Sequence, residues 1–295
     1  MKNKTLILTT VFTAMCLMAD SAVSAILFAH NGYDGSNGDL YAIDTITKTV
    51  TVLSNEADRS GPEVQISPDG SVIYMATISP ATLRSLDAVS GLTTGTVAFS
   101  NFPLQPGEES YTSAVTAMEF VGGVLYGSAH RSGPESNPGV LVTINTETGG
   151  LTAVGTMTGM NRPTGGMHYL DGVMYAISAT DNGPNATLYT IDLNTGESTV
   201  VAPITLSAEQ QNSTSGLTHA DGKMYLVMTG DTNLYSLNLT TGELALEFDL
   251  GVEVNSLTTA GDREIAPVPS LSQWGIIMLG LLMFGFAYAG LRRRL

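Results

Sequence analysis

The chain has 295 residues, a formal net charge of −15 and a single cysteine. That length allows one large or two ordinary domains, and the acidity argues against nucleic acid as a partner because it repels phosphate backbones. One cysteine cannot build a disulfide framework, so the fold must be held by core packing.

The N-terminus reads as an address rather than as structure. Lys2 and Lys4 form a positive n-region, Leu6 to Ala19 an apolar stretch, and Val23-Ser24-Ala25 a small-residue cleavage box. This predicts a signal peptide over residues 1–25, cut between Ala25 and Ile26, and export through the Sec translocon. Cys16 is preceded by Met15, where lipoprotein processing needs Gly or Ala, so no lipid anchor is expected. Between Ile26 and Arg263 seven Lys and Arg stand against twenty-five Asp and Glu, so the expected mature region is more acidic than the whole chain.

The middle repeats. Leu40-Tyr-Ala-Ile-Asp44, Leu83-Arg-Ser-Leu-Asp87, Leu141-Val-Thr-Ile-Asn145, Leu188-Tyr-Thr-Ile-Asp192 and Leu234-Tyr-Ser-Leu-Asn238 share one pattern, at spacings of 43, 58, 47 and 46 residues. Each leads into a turn, mostly Thr-Gly, and then an alternating strand. A second motif precedes it: Met118–Tyr126, Met167–Tyr175 and Leu217–Tyr225 are versions of one hairpin, turning at Gly122-Gly123, Asp171-Gly172 and Asp221-Gly222, and Val64 to Tyr74 is a fourth. The unit is therefore strand a, tight turn, strand b, longer loop, strand c, Thr-Gly turn, strand d, at the period of a propeller blade.

These observations predict an all-β fold, a β-propeller of five four-stranded blades spanning residues 26–263. The first unit lacks strand a, because Ile26–Ala29 already reads as strand b. Asn255–Ala260 has strand-a character and nothing after it, so the C-terminal strand is expected to complete blade one and close the ring. The middle resembles a YVTN- or WD-like β-propeller.

Short, uniform turns fall on one face of such a ring and long, varied loops on the other: residues 31–39, 55–62, 99–114, 130–138, 161–164, 181–185 and 204–213. That asymmetry points to a binding face, carrying Asp34, Asp39, Glu56, Asp58, Glu108, Glu109, Glu135, Asp181 and Glu209. Asp34, Asn37 and Asp39 could offer oxygens to calcium, though without EF-hand spacing. His30, His130, His168 and His219 are the only histidines, no two at metal-ligand spacing. No Gly-x-Ser-x-Gly, His-Glu-x-x-His or phosphate-binding glycine loop occurs. The expectation is a binding or structural protein without catalytic residues or cofactor; the competing class is a secreted propeller hydrolase or lactonase using a metal in the channel.

The C-terminus is a second address. A linker (264–274) precedes an uncharged stretch, Gly275–Leu291, long enough to approach a membrane span, and Arg292, Arg293 and Arg294 follow at once. That order predicts a transmembrane helix over 275–291 with residues 292–295 in the cytoplasm and the domain outside. Val268-Pro269-Ser270-Leu271-Ser272-Gln273-Trp274-Gly275 followed by this span and cluster resembles the IPTL-CTERM sorting tail, whose pattern is Ile-Pro-Thr-Leu-Ser-Glu-Trp-Gly. Val268, Ser270 and Gln273 depart from it conservatively. The resemblance, shared with PEP-CTERM tails, implies recognition by an exosortase-type membrane protease of Gram-negative bacteria. It further implies passage from the inner membrane to the cell surface or extracellular matrix and says nothing of what the domain does; the expected ligand is a surface protein or polysaccharide.

Overall fold

The computed structural model describes residues 25–32, 38–56, 61–103, 113–131, 138–160, 164–179, 185–206 and 216–259. The expected signal peptide, linker, span and arginine cluster lie outside the described residues, as does the sorting motif. Ser24–Gly261 forms one compact unit.

Twenty strands make five four-stranded antiparallel sheets. β1 (Ile26–His30), β2 (Asp39–Asp44) and β3 (Thr49–Asn55) are strands b, c and d of blade one. Blade two is β4 (Glu63–Ile66), β5 (Val72–Ala76), β6 (Thr82–Asp87) and β7 (Thr93–Ala98). Blade three is β8 (Ser113–Val121), β9 (Val124–Arg131), β10 (Val140–Ile144) and β11 (Leu151–Thr156). Blade four is β12 (Thr164–Leu170), β13 (Val173–Ala179), β14 (Asn185–Ile191) and β15 (Ser198–Thr205). Blade five is β16 (Leu217–Ala220), β17 (Lys223–Leu226), β18 (Asn233–Leu237) and β19 (Leu244–Asp249). β20 (Ser256–Thr259) then pairs with β1, Leu27 opposite Thr259 and His30 opposite Ser256, and supplies blade one's missing inner strand. The expected five blades and their closure by the C-terminal strand are both observed.

The repeat motif is legible as physics. Its Leu points to the following blade, and the residues one and three positions later point to the preceding one. Leu188 packs with Leu217, Met224 and Leu226 of blade five, while Tyr189 and Ile191 pack with Ala117 and Leu141 of blade three. Leu40 joins Val64 and Ile73 of blade two, while Tyr41 and Ile43 join Tyr225 and Leu234 of blade five. The core is thus five apolar clusters, one per interface, and no blade owns a core.

The motif's closing Asp or Asn is a turn residue. Asp44, Asp87, Asn145, Asp192 and Asn238 each accept, through Oδ1, a backbone N–H two or three residues on, as in Thr47 N to Asp44 at 2.8 Å and Thr148 N to Asn145 at 2.9 Å. Four residues beyond it stands Gly91, Gly149, Gly196 or Gly242, with φ between 67° and 78°. The glycine also meets the neighbouring blade: a Cβ on Gly196 would overlap the Gly155 carbonyl, and one on Gly242 the Pro203 carbonyl. Each outer strand leaves that turn and then accommodates one extra residue, at Leu53, Thr94, Val154, Val201 or Glu247. Such bulges add twist and also make an outer edge a poor template for another strand.

Blade one departs from the pattern at the closure seam. Lys48 occupies the glycine position with φ 55°, its Nζ 5.7 Å from the Phe248 ring centroid and donating to the Glu247 carbonyl at 3.4 Å. Thr45 Oγ1 donates to Asp221 Oδ2 at 2.6 Å across the same seam.

Two tests follow. Gly172 and Gly242 both have positive φ, but a Cβ on Gly172 meets nothing within 4 Å. Gly172→Ala should cost about 1 kcal/mol, the backbone strain alone, and Gly242→Ala ~2 kcal/mol more, because the blades must separate. Equal losses in denaturant melts would show that the turn glycine carries no interface role. Separately, a chain ending at Asp249 should melt more than about 10 °C below one ending at Arg263, since it loses β20 and the seam together. A difference of a few degrees would falsify the dependence on closure.

Candidate functional site

β4, β8, β12, β16 and β20 are the innermost strands and surround the axis. Each carries an apolar residue followed by a polar one: Val64-Gln65, Met118-Glu119, Met167-His168, Leu217-Thr218 and Leu257-Thr258. Alternation sends the first towards the preceding blade and the second towards the following one. The polar residues form a belt. Thr258 Oγ1 donates to Gln65 Oε1 at 3.1 Å and accepts from Ile66 N at 3.2 Å. Gln65 Nε2 donates to Glu119 Oε1 at 3.3 Å, which also accepts from Phe120 N at 3.0 Å. Glu119 Oε2 lies 2.9 Å from His168 Nδ1. The His168 ring lies nearly parallel to that of His219, their centroids 6.3 Å apart. Blades one to four each contribute that second residue, and blade five contributes His219 rather than Thr218.

Sequence spacing separated His168 and His219; the fold brings them together, because they point in opposite directions from adjacent blades. The belt's signal was present in the hairpins, as the polar residue after each Val, Met or Leu, and sequence reasoning passed over it. Among the described residues no three His, Cys, Asp or Glu side chains are placed to hold a metal ion.

Glu63, at the start of β4, is 2% exposed. Burial raises its pKa well above the ordinary carboxylic value, and the Glu119 charge adds to the shift.

The two faces of the ring differ. The a–b connections are short: Asp171-Gly172 and Asp221-Gly222 take positive φ at both positions, as tight hairpins require. The opposite face carries the longer segments between strands. Of the acidic residues expected there, only Asp39 and Glu56 lie within the described residues, and both are engaged structurally. Asp39 Oδ2 accepts from Tyr41 OH at 3.1 Å, and Asn31 bonds both residues. Burial, then Asp39, pushes the Tyr41 phenol up to about 12. Glu56 accepts from Thr93 N at 3.1 Å and from Thr93 Oγ1 at 2.6 Å, so its carboxylate ties blade one to blade two. Asp34, Asn37, Asp58, Glu108, Glu109, Glu135, Asp181 and Glu209 lie outside the described residues. At the expected cleavage site, the Ala25 carbonyl accepts from Thr45 N and Oγ1, and Thr259 Oγ1 donates to the Ile26 carbonyl. Both ends of the described chain therefore sit on the short-turn face. A mixed polar and apolar cleft of about 820 Å³ lies between blades four and five, lined by Leu170, His219, Lys223, Met224, Ser236 and Glu243 among others.

Fold and repeat together define a closed five-bladed β-propeller of repeated units. The chain belongs to the family described as a repeat of unknown function, DUF6923, whose model matches residues 74–256. A second model, the IPTL-CTERM motif, matches residues 266–294, so the chain carries a tail of the kind that marks sorted surface proteins. No curated protein matches the chain. Among solved structures it is similar to a chain of a nidogen–laminin complex (TM-score 0.48, 12% identity, 80% of this chain and 98% of that one). It is also similar to proteins of unknown function from Bacteroides caccae (0.46, 10%, 80% and 98%) and Bacteroides thetaiotaomicron VPI-5482 (0.49, 14%, 83% and 67%). These likenesses do not bear on function.

Glu63 gives a pH prediction. A carboxyl whose folded pKa is raised above the unfolded value, near 4.5, contributes fully below that value and loses its contribution as pH rises through the folded pKa. Glu63→Gln should therefore melt close to wild type near pH 4 and increasingly above it towards about pH 8, in buffer free of divalent cations. A temperature difference constant across that range would mean that Glu63 ionises as a solvated group.

Proposed function

We propose that the protein is an exported, non-enzymatic surface or matrix protein whose propeller binds a protein or polysaccharide through the loop-bearing face. The observation that carries this reading is the IPTL-CTERM tail behind a closed propeller. Both chain ends leave the short-turn face, which frees the opposite face for a partner wherever the tail is held.

In this reading the signal peptide directs export through Sec. The 275–291 span holds the protein in the inner membrane with Arg292, Arg293 and Arg294 inside, and an exosortase-type protease of a Gram-negative host cuts near Val268–Gly275. Pro267 and Pro269 keep the segment before the span from continuing as helix, since proline blocks a helical hydrogen bond and disfavours helix at the residue before it. Extended backbone is what a protease can grip. No helix among the described residues is long and apolar enough to cross a membrane, and 275–291 lies outside them.

The test is the mass of the C-terminus. Deleting residues 273–295 should release the domain from the membrane. Replacing Pro269 and Trp274 should leave full-length protein membrane-bound in a host that has the matching protease and processes the wild type. Recovery of surface protein that retains Arg294 from the native host would sink the sorting reading and leave a plain anchor.

A further inference from the structure

Above the belt, towards the loop face, lies a second polar group that the belt does not use. β4 and β20 run in the same sense beside each other, fastened by Thr258 to Gln65 and to the Ile66 N–H. Two residues back along each strand, Glu63 comes level with Ser256, and Asn255 immediately precedes it. All three are buried, with Asn255 4% exposed and Ser256 0%. Their backbones are committed: Asn255 N donates to the His30 carbonyl at 2.8 Å, and Ser256 ladders with His30. Their side chains are not. Glu63 Oε2, Asn255 Oδ1 and Nδ2, and Ser256 Oγ have no hydrogen-bond partner among the described residues.

Native proteins seldom leave one buried polar atom unpaired, and four on three neighbouring side chains point to a bound species. The available donors are a carboxylate, an amide carbonyl and a hydroxyl, all oxygen, the set that suits a hard cation rather than zinc or copper. The five inner strands contain no Lys or Arg, and the Glu119 charge acts on Glu63. A cation relieves the repulsion between those two carboxylates.

We propose that Glu63 Oε2, Asn255 Oδ1 and Ser256 Oγ bind one calcium ion at the loop-face end of the channel, joining the closing strand to blade two. Water completes the coordination, and a calcium-bound water accepts from Asn255 Nδ2. The ion is a lock on ring closure: two of its ligands stand on or beside β20 and the third on the blade that β20 must meet. None of the three ligands belongs to the sorting tail, so neither reading depends on the other.

The experiment is a thermal melt with matched calorimetry on the full chain in detergent, stripped with chelator and then titrated with calcium chloride. Wild type should bind one ion per chain, and 1 mM calcium should raise its Tm by about 5 °C or more. Glu63→Gln should abolish the shift and weaken binding at least about tenfold, and Asn255→Ala should do the same, which keeps the test open if one variant folds poorly. The double variant Asp34→Asn, Asp39→Asn should keep the shift. Absence of any shift in wild type, or its survival in Glu63→Gln, overturns the proposal and leaves buried water as the partner of these atoms. Loss of the shift in the Asp34, Asp39 variant alone places the ion in that loop instead and also overturns it.

Discussion

The fold depends on the pairing of β20 with β1. Every blade gives the first Leu of its motif to the next interface and the Ile or Leu three positions later to the previous one, so each of the five clusters draws on two blades. An open row would leave half a cluster exposed at each end. Closure removes both ends at once, and β20 secures it: Leu257 enters the cluster shared by blades five and one, while its neighbours ladder with β1. The entropy of bringing residue 257 back to residue 27 is then offset by one complete interface rather than by four ladder pairs.

The seam is chemically distinct because it joins the two ends of the repeat. At three other interfaces a turn glycine packs against a backbone carbonyl of the preceding blade, a contact that admits no side chain. At the seam Lys48 stands in its place and lies over Phe248, with Thr45 and Asp221 bonded beside it. The interface that forms last along the chain therefore relies on longer, polar side chains, which meet across a gap that close backbone contact would not tolerate. This departure is visible in the sequence as the one unit whose turn lacks glycine, but its partner, two hundred residues away, is not.

The same distinction separates what was legible from what was not. Blade number, strand order, hairpin turns and closure follow from contacts local to one unit, and each unit repeats them with its own Asp-Gly or Asx turn. The belt and the buried trio are contacts between units. His168 and His219 fall at different positions of their hairpins, which reads as unrelated until adjacent blades turn opposite strand faces towards each other. Glu56 reads as a loop carboxylate because it follows a strand end, yet the twist of the blade brings that end against Thr93 of the next. Side chains placed by the assembly of blades, rather than by the blade, leave little trace in spacing.

The constraints are distributed unevenly, and function follows from that. The axis is committed to a hydrogen-bonded belt whose links run Thr258 to Gln65, Gln65 to Glu119 and Glu119 to His168, one blade to the next, so a change at any member disturbs its neighbours. The short-turn face is committed to positive-φ residues and Asx turns, and it also receives both chain ends. The interfaces between blades are held by the five apolar clusters, with a cleft left between blades four and five. On the opposite face the described ends of the longer connections are partly drawn in as well, with Phe99, Met160 and Leu206 in the shared clusters and Glu56 bonded to Thr93. In the proposed reading, a binding specificity acquired on that face would leave the strand ladders, the Asx turns and the β20–β1 closure in place.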